Sequence, residues 1–82
     1  KEIMFIKVNK CTEKDKEEVF RMERVFGLKV VDYDRNSILL ECVNTESKNN
    51  ELVKLFSSSF LNRIEVVRGG SVAIESVTRT DR

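Results

Sequence analysis

LKVVDYDRNSILLECVN, residues 28–44, is the stretch on which the fold turns. Two short runs rich in valine, leucine and isoleucine flank Asp34-Arg35-Asn36-Ser37, a set of turn formers. Each run is too short for a helix of ordinary length, so together they read as a β-hairpin. The segments on either side then decide the topology. Upstream, EIMFIKV (Glu2 to Val8) reads as a strand bounded by the polar NKCT. Between it and the hairpin, TEKDKEEVFRMERVFG reads as a helix. Thr12 can cap its N-terminus with Asp15 as reciprocal partner, acidic Glu13 and Asp15 suit the positive end of the dipole, and Gly27 suits the left-handed residue after the last turn. Val19, Met22, Val25 and Phe26 fall on a stripe about 120° wide that should face the core. Phe20 lies off that stripe, and Glu17 and Arg21 are spaced to pair on the wet side.

Downstream, Thr45 or Ser47 opens a second helix that carries Leu52, Val53, Phe56 and Phe60 at helical spacing. The poor helix formers Ser57 to Ser59 should fray its end. RIEVVR (63–68) is a fourth strand, followed by Gly69-Gly70, a shorter alternating stretch SVAIESV and the polar TRTDR. Residues 1–77 are therefore expected to form one domain, with 78–82 a disordered tail.

The order β-α-β-β-α-β, with right-handed crossovers, predicts an α+β ferredoxin-like sandwich. Four antiparallel strands take the order 4-1-3-2, with both helices on one face. Alternation places Met4, Ile6, Val8, Ile38, Leu40, Cys42, Ile64 and Val66 toward the helices. Ile3, Phe5, Leu39, Val43 and Val67 then fall on the open face, joined by Val31 and Tyr33 and mixed with Lys7, Glu41 and Glu65. A solvated face alternates to polar residues. This one does so only in part, so a twin or a partner chain is expected to meet it.

Composition excludes several functions. Fifteen basic against fourteen acidic residues, spread evenly, leave no basic stripe for nucleic acid or an anionic membrane. The third strand carries no aromatic residue for stacking bases, and Phe5 alone makes no platform. No apolar run approaches the ~20 residues that span a bilayer. With no histidine, the commonest general base and metal ligand is missing. The serines lack a base by sequence, and Asp32 and Asp34 flank Tyr33 as turn residues. Cys11 and Cys42 are too far apart for a C-x-x-C motif, and Cys42 sits at an apolar strand position, which suits reduced thiols in the cytoplasm. No catalytic, metal or cofactor site is expected. The opening inside a strand, at Lys1-Glu2-Ile3, reads as a piece of a longer protein.

Several strings, in this order and spacing, resemble one known domain. They are EIMFIKVN at the start, VFGLKVVDYDRNSILLECVN in the middle, Thr45-x-x-Lys48 opening the second helix, and RIEVVRGG. The domain is the C-terminal part of the small, regulatory subunit of acetolactate synthase. Gly27 departs from the pattern, since relatives usually carry a basic residue after the phenylalanine. The resemblance implies a regulatory role. The small subunit binds the large catalytic subunit, raises its activity and makes it sensitive to valine. Pyruvate condensation, with its thiamine diphosphate, flavin and magnesium, belongs to the large subunit. Valine is held by an N-terminal ACT domain around an N-x-x-G-x-L-x-R type motif that this sequence does not contain.

The expected function is thus a non-catalytic domain that pairs with itself, as a homodimer, and with the catalytic subunit. The alternative is a stand-alone ACT-like sensor that binds an amino acid at a dimer seam. Phe5, Phe20, Leu39, Val43, Val67, Arg68 and Gly70 are the candidate interface residues. Gly69-Gly70 does not suit a phosphate cradle, because no helix comes after it. The pair more simply lets the chain leave the fourth strand with a backbone closed to other residues, and Arg68 beside it is the residue expected to face a partner.

Overall fold

The computed structural model describes residues 1–69. Its elements run β1 (Glu2–Val8), α1 (Glu13–Phe26), β2 (Lys29–Tyr33), β3 (Ile38–Asn44), α2 (Glu46–Ser59) and β4 (Ile64–Arg68). The four strands form one antiparallel sheet in the order β2-β3-β1-β4, the expected ferredoxin-like topology. Gly70, the stretch 71–77 and the tail 78–82 lie outside the described residues.

The sequence writes the ends of α1. Asp15 N–H donates to Thr12 Oγ1 at 3.1 Å and Thr12 N–H donates to Asp15 Oδ2 at 3.0 Å, a complete capping box. Gly27 closes the helix at φ 69°, a left-handed conformation that costs a side chain but not glycine. Of the two candidate caps on α2, Thr45 is the one used, its Oγ1 accepting from Lys48 N–H at 3.2 Å. Contrary to expectation, α2 continues through Ser57, Ser58 and Ser59. Phe56 and Phe60, both buried and with ring centroids 5.8 Å apart, hold this last turn against the core and override its weak propensity. The wet-side pair also differs, since Arg21 bonds Glu18, one position from Glu17.

Met4, Ile6, Val8, Ile38, Leu40 and Cys42 are buried beneath the helices, as alternation requires, with Val19, Met22, Leu28, Leu52, Phe56 and Phe60 above them. Ile64 and Val66, on the edge strand β4, are only partly buried. The α1 stripe is rotated from its expected setting. Val25 is 69% exposed and Phe26 is 44% exposed, while Glu23 is half-buried. At about 100° per residue Glu23 lies about 40° beyond Val19, on the side away from Val25. Its carboxylate accepts the N–H of Val30 at 3.1 Å, which ties that side of the helix to β2.

The β2–β3 register carries a bulge. Val30 pairs with Leu40, but Asp32 pairs with Leu39 and Tyr33 with Ile38. The extra residue, Val31, reverses the parity of Asp32 and Tyr33 after it. Tyr33 therefore shares the helix-side face of Ile38 and does not join the open face.

Asp15 also ties α1 to the start of β4. Arg63 donates to Asp15 Oδ2 at 2.7 Å and to the Lys10 carbonyl at 2.9 Å, with its guanidinium 5.5 Å from the Phe60 ring centre. The Arg63 hydrogen bond, with the Thr12 backbone N–H second to it, holds the Asp15 carboxyl at a pKa of about 2, below the ordinary 3.8. A depressed carboxylate pKa stabilises the fold above the ordinary value and ceases to do so as pH falls through the folded one. Melting temperature should therefore fall between about pH 4 and pH 2. Asp34 and Glu2, both also lowered, act in the same direction. Asp15→Asn should be less stable at neutral pH and should flatten this acid limb. An unchanged limb would show that Asp15 is not among the carboxylates responsible.

Candidate association surface

The face of the sheet turned away from the helices is built from alternate residues of the two central strands and their neighbours. Ile3 pairs with Val43, Phe5 with Glu41 and Val67, and Lys7 with Leu39 and Glu65. Apolar groups gather at one end of this face, where β1 begins and β3 and β4 end. The charges of Lys7 and Glu65 stand toward the other end. Ile3 is 37% exposed and Val43 is 44% exposed, with Val67 half-buried. Phe5 and Leu39, candidates on this same face, are buried and form a small cluster separate from the main core. They sit on the two central strands, where neighbours on both sides crowd each side chain. The accessible apolar residues that β1, β3 and β4 present on this face are therefore Ile3, Val43 and Val67.

The other interface candidates are not brought to this face. Phe20 is 39% exposed on α1, away from the open sheet face. Arg68 pairs with Met4, and so points to the helix side. There it donates to Glu2 Oε1 at 2.9 Å, to Asn50 Oδ1 at 2.6 Å and to the Glu46 carbonyl at 3.4 Å. Its guanidinium is thus engaged within the domain, on the opposite side of the sheet from the open face. The hydrogen bond with Glu2 raises the arginine's pKa and lowers that of the acid. The buried Asn49 joins the same corner, donating to Glu2 Oε1 at 2.8 Å and to the Glu2 carbonyl at 3.3 Å. Only the charge opposition of Glu2 and Arg68 hinted at this latch, and strand register was needed to see it. Gly69 leaves β4 at φ 83° and donates its N–H to the Ile3 carbonyl at 2.9 Å, so the first glycine of the pair does relieve the backbone. Gly70 lies outside the described residues.

Between the last turn of α1 and α2 lies a cavity of about 210 Å³, lined by Phe26, Asn44, Lys48, Glu51, Leu52 and Leu55. Its floor is apolar, and its rim carries one charge of each sign.

The two cysteines are both buried among the described residues. Burial pushes the Cys42 thiol up to about 12, far from a reactive thiolate, and burial raises Cys11 as well. Among the described residues, no three His, Cys, Asp or Glu side chains cluster as metal ligands. No helix among them is long and apolar enough to cross a membrane.

The fold is thus a ferredoxin-like sandwich with an accessible apolar strip on its open sheet face. The chain belongs to the family described as the small subunit of acetolactate synthase, which matches residues 1–77, and corresponds to the C-terminal domain of that regulatory subunit. Searches among curated proteins and among solved structures return no match.

Proposed function

We propose that this domain is non-catalytic, that it pairs with a second copy of itself and binds the catalytic subunit of acetolactate synthase in the cytoplasm, and that it helps pass valine inhibition to that subunit. Valine itself is bound elsewhere, by an ACT domain. The observation that carries the reading is the apolar end of the open sheet face, where Ile3, Val43 and Val67 stand accessible around the covered ring of Phe5. An 82-residue domain buries a modest share of its unfolded-chain surface, so covering this strip adds to a small core. Control of the catalytic subunit requires contacts that differ between its active and inhibited states.

Sedimentation velocity over a wide concentration range tests the self-association, with a concentration-dependent dimer expected. A strict monomer at high concentration removes that half of the proposal. Adding the small subunit with and without this domain to the catalytic subunit, in the presence of valine, tests the other half. Loss of the domain should abolish or weaken inhibition.

The cavity beside Phe26 favours a second reading, in which this domain binds a small amphipathic molecule such as an amino acid. Titration with valine, leucine and isoleucine, monitored by NMR at Leu52 and Leu55, separates the two. The regulatory reading expects no saturable shift.

A further inference from the structure

The sheet's outer edge at β2 has two backbone donors already occupied by carboxylates, and we propose that Glu23 and Asp32 thereby close this edge to strand addition by another chain. Asp34 N–H donates to the Ser37 carbonyl at 2.9 Å, which closes the hairpin and sets the alternation. The next pair, Tyr33 with Ile38, is then of the kind that exchanges no ladder bonds, so the Tyr33 N–H points away from β3. It donates instead to Asp32 Oδ1 at 2.8 Å. On the far side of the bulge, the Val30 N–H goes to Glu23 Oε2 at 3.1 Å. The two guards come from different places, one from the strand itself and one from the helix above it.

The guards matter because, among the described residues, β2 is otherwise a ready template. It lies at the end of the order of the described strands, and it exposes Val31 by 39% and Tyr33 by 60%. An incoming strand would need the Val30 and Tyr33 donors for its own carbonyls and would have to displace a carboxylate at each. The bulge at Val31 adds a local kink that works the same way. A partner that reads side chains on a sheet face meets no such obstacle. The surface closed here is one that recognises an extended backbone.

The test compares Glu23→Ala/Asp32→Ala with Glu23→Gln/Asp32→Asn, the second pair keeping side-chain acceptors. Amide hydrogen exchange is read at Val30 and Tyr33, and light scattering on a sizing column is read across concentration. In the alanine pair both amides should exchange at least tenfold faster, and larger species with the infrared signature of intermolecular β-sheet should appear as concentration rises. The glutamine/asparagine pair should behave as the parent. A folded alanine pair that associates no more than the parent overturns the proposal, as does a glutamine/asparagine pair that aggregates equally. If the alanine pair fails to fold, Asp32→Ala alone is read at Tyr33 by the same criteria. The result is separable from face pairing, because the edge species should persist when Val43 on the open face is also replaced.

Discussion

Phe56→Ala should unfold this domain at temperatures where the parent is intact, with a loss of about 3–5 kcal/mol. Phe56 is fully buried at the centre of the helix layer, and its ring tilts 37° against that of Phe60. Removing the ring leaves a void that cannot close easily. Phe60 is held on one side by Arg63, which is tied in turn to Asp15, and Leu52 is held by the helix backbone. Domains of this size hold roughly 4–12 kcal/mol in total, so the loss is a large share of it. Thermal unfolding should fall by about 12 °C or more. Phe20→Ala, on the exposed side of α1, is the control and should stay within about 0.5 kcal/mol of the parent. A fall below about 5 °C for Phe56→Ala would mean that α2 settles into the void, and that the seam between the helices is softer than its packing suggests.

Val43→Glu should weaken self-association at least about tenfold while leaving the fold intact. Val43 stands opposite Ile3 on the open face and is 44% exposed, so a carboxylate there can stay in water in the single domain. In a pair it would be buried against an apolar strip without a partner, beside the carboxylate of Glu41 on the same face and strand. Stability of the isolated domain should move by no more than about 0.5 kcal/mol, which separates loss of pairing from loss of folding. Unaltered association would show that Ile3, Val43 and Val67 are not where two copies meet.

Local chemistry made much of this fold legible from the residues alone. The capping box of α1, the left-handed Gly27 and the Asp34 turn each depend on residues within a few positions, and each is present as read. Alternation in β1 and β3 was equally clear, because both strands are central and one face of each is fully buried. What sequence alone did not show depends on tertiary partners. Val31 carries no mark of a bulge, yet one extra residue there moves Tyr33 to the other face. Glu23 is an ordinary surface residue in sequence, and only the approach of Val30 gives its carboxylate a backbone partner, while Val25 is left in water. Beyond its charge, Arg68 gives no sign in sequence of its bond to Glu2, a pair that strand register brings together. The association surface was legible as a face but not as a footprint. Periodicity says which side a residue takes, whereas the cover over Phe5 and Leu39 depends on what flanks the central strands.

The latch between Glu2 and Arg68 also sets how the domain would answer a pull. β1 begins where β4 ends, and the two run antiparallel side by side. Tension applied through residue 1 and residue 69 would meet the ladder bonds one at a time, starting at this corner, and would not shear them all together. The ion pair is the first element such a load would reach, with Asn49 and the first turn of α2 directly behind it. Mechanically the domain is a zipper with its catch at the open end, where α2 and the end of β3 meet the same corner.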